Sequence, residues 1–170
     1  MSISNRAKGP KVGRSAARLA AVQALYQVAS TDSDYTKVVR DFLVGYLGGM
    51  AISVDPDTEI ETPVRLAEMD QAIFSGLVSE AIARQSDIDD MIDANLSSEW
   101  PKDRLELIVR SILRAGIAEL LGAVDAPAKV TISEYVDITH AFYSGPEPNM
   151  VNAVLDKVAR VLRSQELAAS

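Results

Sequence analysis

The stretch DRLELIVRSILRAGIAELL, residues 103–121, constrains the fold more than any other part of the sequence. Its apolar side chains recur at the three- and four-residue spacing of a helix with a broad buried face. These side chains are Leu105, Ile108, Val109, Ile112, Leu113, Ile117, Leu120 and Leu121. Ala115 and Gly116 lack bulk in the middle, so another helix can approach closely there. Pro101 suits the first turn and Gly122 the end, and a helix this apolar must be covered by other helices.

Six further segments show a helical apolar period, whereas no segment has a convincing strand pattern. The predicted starts of these helices are Ser15, Asp34, Thr62, Ser86, Thr131 and Asn149. Ser86 with Asp89 and Thr131 with Glu134 have the spacing of capping boxes, and Thr62-Pro63 is typical of a cap and a first helical residue. The sequence therefore predicts an all-α fold of about seven helices with short connections, in two bundled groups.

The chain is long enough for one domain, because 170 residues with 48% apolar side chains can bury a single core. Residues 1–13 have no apolar period and contain glycines and Pro10, so we expect a flexible basic arm there. Residues 14–163 are predicted to form the helical domain, with an acidic loop at 51–62. Residues 164–170 are expected to be a frayed tail.

Several classes of chemistry find no support in the composition. The sequence has no cysteine and one histidine, His140, so disulfides, thiol catalysis and multi-histidine metal sites are excluded. His140 and Asp137, three residues apart on a predicted helix, are typical of a surface hydrogen bond. No nucleophile elbow or phosphate-binding glycine loop is present. We therefore expect a protein that is not an enzyme and has no cofactor or metal.

The sequence also lacks a run of 18 apolar residues and a signal-peptide core. We expect no membrane partner and a soluble, cytoplasmic protein.

Charge is distributed unevenly along the chain. The net charge is −7, but residues 1–31 contain five basic residues and no acidic one. These are Arg6, Lys8, Lys11, Arg14 and Arg18. Arg14 and Arg18 lie four residues apart on one side of the predicted first helix, where cations oppose the helix dipole. Such an arm is expected to fold back on the acidic body or to bind something anionic, and the alternative is an unstructured tail kept soluble by its charge.

A second candidate feature is the rigid turn Gly145–Pro148 before the last helix. Phe142, Tyr143 and Met150 flank this turn, and such side chains can stack on unpaired bases. The alternative is that Phe142 and Met150 pack beneath the turn as part of the core. An RNA site combining the arm and the turn requires the fold to bring them together.

Long segments of the sequence resemble the NusB family of bacterial transcription antitermination factors. The similar segments are RSAARLAAVQALYQ (14–27), RSILRAGIAEL (110–120), APAKVTISEYVDITHAFY (126–143) and EPNMVNAVLDKVAR (147–160). Their most specific parts are the patterns P-x-K-V-x-I-x-E and V-N-x-V-L-D. The resemblance runs over nearly the whole chain from Arg14.

This resemblance implies a fold of two three-helix bundles plus an N-terminal helix. It also implies binding to the boxA element of nascent ribosomal RNA and a heterodimer with NusE, a small-subunit ribosomal protein. The complex joins RNA polymerase in an antitermination complex. Some members of the family are dimers, and the alanine face of the first helix could pair with a second copy.

The resemblance further implies that RNA lies across an arginine-rich N-terminal segment and the turn before the last helix. With the basic arm included, the candidate RNA-binding residues are Lys8, Lys11, Arg14, Arg18, Phe142, Asn149 and Met150. The chain departs from the family pattern in three places. The family has a run of consecutive arginines, whereas residues 14–18 keep only Arg14 and Arg18. Gly145-Pro146 lies where the family commonly has an acidic residue, and Met150 lies where an aromatic residue is expected. Region 48–69 is also longer than expected.

Two other functions are compatible with the sequence. The acidic body favours a protein–protein adaptor that binds NusE and has negligible RNA binding of its own. A related helical domain is also fused to some ribosomal RNA methyltransferases, but this chain leaves no room for their cofactor-binding α/β domain.

Overall fold

The computed structural model describes residues 10–44, 50–54, 61–65, 69–101, 103 and 105–169, with the backbone alone for 10–12, 50–54 and 61–65. The helices in this part are α1 (Pro10–Thr31), α2 (Tyr35–Leu43), α3 (Gln71–Ala83), α4 (Gln85–Asn95), α5 (Leu107–Ala118), α6 (Ala128–Phe142), α7 (Glu147–Leu162) and α8 (Ser164–Ala168). Two antiparallel strands, β1 (Met50–Val54) and β2 (Glu61–Arg65), lie between α2 and α3. Seven of the eight helices are longer than two turns, which confirms the predicted all-α fold.

Helix α5 is the centre of the molecule, as its sequence predicts. It begins at Leu107, later than predicted, and packs against α1, α3, α4, α6 and α7. Every residue from 111 to 120 is buried. A β-carbon on Gly116 would lie 3.0 Å from a methyl group of Leu155, so glycine allows the predicted close approach of α7. A single π-helical turn, Glu119–Ala123, ends the helix, and Gly122 has a φ of 114°, which other residues rarely adopt.

The small face of α1 is packed inside the fold. Ala17, Ala20, Ala21 and Ala24 have no exposed surface, because α1 lies against both α3 and α5. This confirms the prediction that small side chains allow close helix packing. The expectation that the same face could pair with a second copy is wrong, because other helices of the same chain already cover it.

The helices form two groups that share α5 and α1 as their junction. Helices α1, α2 and α3 pack together, and α4 to α7 form the second group. Phe42 and Phe74 stack between α2 and α3 with ring centroids 5.4 Å apart. The N–H of Asp70 donates to the Gly13 carbonyl at 3.0 Å, which ties the start of α3 to the first turns of α1.

The hairpin between α2 and α3 contradicts the prediction that the chain has no strand. Its register pairs Met50 with Arg65 and Ile52 with Pro63. Thr62-Pro63 therefore lies in a strand instead of starting a helix, and α3 begins at Gln71. The N-cap of α3 is Asp70, whose carboxylate accepts a hydrogen bond from the N–H of Ile73 at 3.0 Å. Pro63 is compatible with an edge strand, which does not need its missing N–H.

Three predicted helix caps are also wrong. Ser86 lies inside α4, because α3 and α4 are separated by Arg84 alone, and Asp89 pairs with Arg114 instead of capping. Thr131 lies one turn inside α6. Asn149 lies in the first turn of α7, which begins two residues earlier. By contrast, Asp34 caps α2 as predicted, with its carboxylate 2.9 Å from the N–H of Thr36.

Both ends of the helical domain extend beyond their predicted limits. Helix α1 already begins at Pro10, inside the segment 1–13 that was predicted as a flexible arm. The predicted frayed tail 164–170 contains α8. Within α8, a carboxylate oxygen of Glu166 accepts from the backbone N–H of Ala128 at 2.6 Å. This contact gives the N–H of the first residue of α6 a partner, three residues before the predicted cap Thr131.

Candidate nucleic-acid interface

An open groove of about 590 Å³ separates the N-terminal half of α1 from the first turns of α6. We call it the cationic groove; it is lined by Arg14, Arg18, Ala126, Pro127, Lys129, Val130, Ser133 and Glu134. Lys129 and Val130 are exposed, and Arg14 is partly exposed. The fold thus brings the two candidate arginines together with a lysine that sequence analysis did not single out as a ligand-binding residue.

Arg18 is not an exposed cation, although its position on α1 suggested one. Only 2% of its surface is accessible, and its Nε donates to both carboxylate oxygens of Glu119 at 2.8 and 3.2 Å. Its Nη1 lies 3.7 Å from Glu134. Glu119 itself is fully buried at the end of α5. Arg18 therefore neutralises a buried carboxylate, and its side chain belongs to the core beneath the groove.

The same buried cluster includes polar atoms without a hydrogen-bond partner in the described part of the chain. They are Nη2 of Arg18 and the hydroxyl oxygens of Thr131 and Tyr135. Burial, and then the negative charge of Glu119, raises the pKa of the Tyr135 hydroxyl well above its usual value. The Tyr135 hydroxyl therefore stays protonated and neutral near neutral pH.

Arg14 and Lys129 differ from Arg18 because neither forms an ion pair with a carboxylate of the described residues. Arg14 lies one turn before Arg18, and Lys129 lies in the first turn of α6. Between them, the hydroxyl of Ser15 donates to Glu134 at 2.8 Å. Two cations without a carboxylate partner among the described residues therefore face one groove, and cations in such an arrangement favour the approach of anions.

A second depression, of about 530 Å³, lies toward the other end of α1. We call it the aromatic depression; it is lined by Gln23, Tyr26, Glu106, Leu107, Ile108 and Phe142. Tyr26 is 42% exposed and Phe142 45% exposed, so both rings are accessible to a ligand. Sequence analysis found Phe142 but missed Tyr26, because a tyrosine within a helical apolar pattern resembles a core residue.

The turn that follows Phe142 is held in place by Tyr143. The hydroxyl of Tyr143 donates to the carboxylate of Glu106, which precedes α5, at 2.5 Å. Burial, and then the hydrogen bond to Glu106, raises the pKa of Tyr143. The hydroxyl therefore stays protonated, and the hydrogen bond that fixes the turn beside the aromatic depression persists at neutral pH.

Asn149 and Met150 line neither the cationic groove nor the aromatic depression. They border a smaller hollow of about 260 Å³ between α7 and the segment after α4, together with Trp100 and Lys157. Asn149 is exposed, whereas Met150 is 6% exposed and packs in the core. Met150 thus follows the alternative of packing beneath the turn, and the predicted residues line three depressions instead of one.

The remaining candidates lie where the structure gives no side-chain description. Lys8 is outside the described residues, and Lys11 lies in the first turn of α1 with its backbone alone described. Among the described residues, no group of three or more histidine, cysteine, aspartate or glutamate side chains could hold a metal ion. No helix in the same residues is long and apolar enough to cross a membrane.

Comparisons with known proteins agree on one family. The sequence model of the NusB family matches residues 15–160. The transcription antitermination protein NusB of Rhodospirillum rubrum is 48% identical over 163 residues, covering 92% of this chain and 88% of that protein. The NusB protein of a Bradyrhizobium species is 43% identical and covers 91% of this chain and 85% of its own length.

Solved structures have the same fold. NusB of T. maritima superposes with a TM-score of 0.68 at 24% identity, covering 91% of this chain and 96% of that one. A chain from the complex of antitermination factors NusB and NusE with double-stranded RNA superposes with a TM-score of 0.63 at 21% identity. That match covers 86% of this chain and 96% of the other.

Proposed function

The chain belongs to the NusB family, and on this basis we propose that it is an RNA-binding transcription antitermination adaptor. In this proposal it binds the boxA element of nascent ribosomal RNA together with NusE. The resulting complex joins RNA polymerase and prevents premature termination. Relatives at 40–48% identity that carry the name transcription antitermination protein support this role.

The observation that carries the proposal is the cationic groove. Arg14 and Lys129 face one opening from two different helices, and neither forms an ion pair with a carboxylate of the described residues. The chain as a whole has a net charge of −7, so unpaired cations gathered in one groove mark where an anion can bind. Phosphates of an RNA strand are the anions that such a groove suits, because each contact releases bound counterions.

The aromatic depression supports RNA over other polyanions. Tyr26 and Phe142 expose ring surface beside Gln23, whose amide can donate and accept hydrogen bonds at a base edge. Unpaired bases stack on such rings, and a polyanion without bases gains nothing from them. Residues 14 and 26 are separated by about 18 Å along α1, at 1.5 Å per residue, which a few nucleotides of extended RNA can span. We therefore propose that one strand follows α1 between the two depressions.

A salt titration of RNA binding tests this assignment. Labelled single-stranded boxA RNA is titrated with wild-type protein and with the Arg14→Ala/Lys129→Ala variant between about 50 and 200 mM salt. Losing two phosphate contacts should reduce the slope of log affinity against log salt by about 1.4, at roughly 0.7 per contact for a single strand. Affinity at low salt should fall at the same time.

The matched control is Lys37→Ala/Arg40→Ala, which removes the same charge from α2. Lys37 is 71% exposed and, among the described residues, its ion pair is with Asp41 of the same helix, so its loss should not disturb the fold. The control should keep the wild-type slope. An unchanged slope in the Arg14/Lys129 variant would remove the cationic groove from the proposal.

A second candidate function is a protein–protein adaptor that binds NusE without holding RNA by itself. The observation in its favour is the acidic balance of residues 32–170, which contain 24 acidic and 12 basic residues. A basic ribosomal protein would complement that charge. Gel shifts with boxA RNA, with and without NusE, separate the two functions. A shift that requires NusE, with no RNA contact from Arg14 or Lys129, supports the second one.

A further inference from the structure

The cationic groove contains one carboxylate, and its position is unusual for a surface that attracts anions. Glu134 lines the groove from α6, and one of its carboxylate oxygens accepts from the hydroxyl of Ser15 at 2.8 Å. The same oxygen lies 3.7 Å from Nη1 of Arg18. Its side chain is 15% exposed, so the negative charge lies close to any ligand that enters the groove.

Glu134 is not needed to neutralise Arg18. The guanidinium of Arg18 is already paired with Glu119, which is completely buried and meets Nε of Arg18 with both oxygens at 2.8 and 3.2 Å. The cluster therefore holds one cation and two carboxylates. The charge of Glu134 is in excess, and it offsets half of the positive charge that Arg14 and Lys129 present to the groove.

We infer that Glu134 is an internal competitor of RNA phosphate in the cationic groove and that it limits the affinity of the groove. The inference rests on the proposed RNA-binding function and names the residue that sets its strength. A phosphate that approaches Arg14 and Lys129 meets the Glu134 carboxylate in the same opening. Binding must overcome this repulsion, which solvent screens only partly because the carboxylate is mostly buried.

The same geometry gives Ser15 a positioning role. Its hydroxyl holds the carboxylate on the groove side, one residue after Arg14 along α1. The carboxylates near Arg18 are Glu119 at the end of α5 and Glu134 on α6, and the cations that line the groove are Arg14, Arg18 and Lys129. Replacing the Glu134 charge by an amide keeps an acceptor for Ser15 and leaves Arg18 paired with Glu119.

The test compares full-length wild-type protein with Glu134→Gln and with Asp137→Asn in boxA RNA titrations. Asp137→Asn makes the same change in net charge as Glu134→Gln. Asp137 is the control because it is exposed on the same helix and does not line the groove. Glu134→Gln should bind RNA at least about fivefold more tightly than wild type, the factor for two unit charges near 4 Å in water. Asp137→Asn should show a smaller gain that disappears at high salt, whereas part of the Glu134→Gln gain should remain.

One further variant and one further measurement make the result interpretable. Glu134→Asp keeps the charge and should not bind more tightly than wild type. Thermal unfolding of each variant identifies any loss of fold. Equal gains for Glu134→Gln and Asp137→Asn, or weaker binding by Glu134→Gln, would overturn the inference. If the wild-type protein does not bind boxA RNA at all, with or without NusE, the proposed function fails instead, and the two failures are thereby distinguished.

Discussion

The two ends of helix α1 border depressions of similar volume and opposite chemistry. Near Arg14 the cationic groove, of about 590 Å³, is lined by three cations and one carboxylate. Near Tyr26 the aromatic depression, of about 530 Å³, is lined by two exposed rings, two apolar side chains of α5, Gln23 and Glu106, and has no cation in its lining. One helix thus presents a site for charge and a site for flat apolar surface, about three turns apart.

This difference separates two contributions to the binding of a nucleic acid. Contacts to phosphate weaken as salt is added, because they depend on counterion release. Stacking on aromatic rings depends on base surface and changes little with salt. The groove variants described above should therefore alter the salt slope, and variants of the aromatic depression should alter affinity alone.

The largest expected effect distinguishes the two arginines of the groove. Arg18→Ala leaves the buried carboxylate of Glu119 without its cation, and breaking a buried pair in this way costs about 3–5 kcal/mol of stability. Arg14→Ala, at a partly exposed position without a described ion pair, should change stability by no more than about 0.5 kcal/mol. Urea unfolding followed by circular dichroism measures both. A loss below about 1 kcal/mol for Arg18→Ala would contradict the structural role assigned to it.

A smaller effect is expected at the other end of α1. Phe142→Ala should weaken boxA RNA binding by about 1–3 kcal/mol, the contribution of one stacked base, with the salt slope unchanged. Tyr35→Ala is the control, because Tyr35 is an exposed aromatic of α2 outside the aromatic depression. If Phe142→Ala lowers the salt slope as Arg14→Ala/Lys129→Ala does, the proposed division between charge and stacking is wrong.

The smallest effect is expected for Glu166 of α8, which accepts a hydrogen bond from the N–H of Ala128 at the start of α6. Hydrogen bonds from the Ala128 N–H, and then from Arg163, lower the pKa of Glu166. A carboxylate whose pKa is lower in the folded state stabilises the fold above its unfolded pKa, and this contribution disappears as pH falls through the lowered value. Glu166→Gln should therefore reduce the melting temperature slightly at neutral pH and not in strongly acidic buffer. A melting difference that is independent of pH would show that the charge of Glu166 is not involved.

The fold could be predicted where local patterns act alone. The apolar period of residues 105–121 predicts a central helix, and α5 is that helix. Asp34 caps α2 as predicted because its carboxylate bonds to a residue two positions later, which is a local contact. Predictions failed where a partner distant in sequence replaced the local one. Thr131 is not a cap because α6 begins at Ala128, whose N–H bonds to Glu166, 38 residues away.

In the candidate site, too, contacts between residues distant in sequence decide what the local sequence could not predict. Arg14 and Arg18 have the same side chain, four residues apart on one helix, so their sequence context gives both the same expected role. A carboxylate 101 positions from Arg18 makes it part of the core, whereas Arg14 has no such partner among the described residues. Lys129 and Tyr26 were missed because each completes a depression whose other wall comes from a distant segment.

By itself, the sequence determined the helical architecture, the central place of α5 and the membership of a family, because these depend on periodicities and motifs that lie along the chain. The tertiary structure alone decided which charged groups meet. The free energy of a cation depends on whether a carboxylate or water surrounds it, and here the carboxylates that matter arrive from α5 and α6. For that reason Arg18 stabilises the core, while Arg14 lines the cationic groove without a carboxylate partner among the described residues.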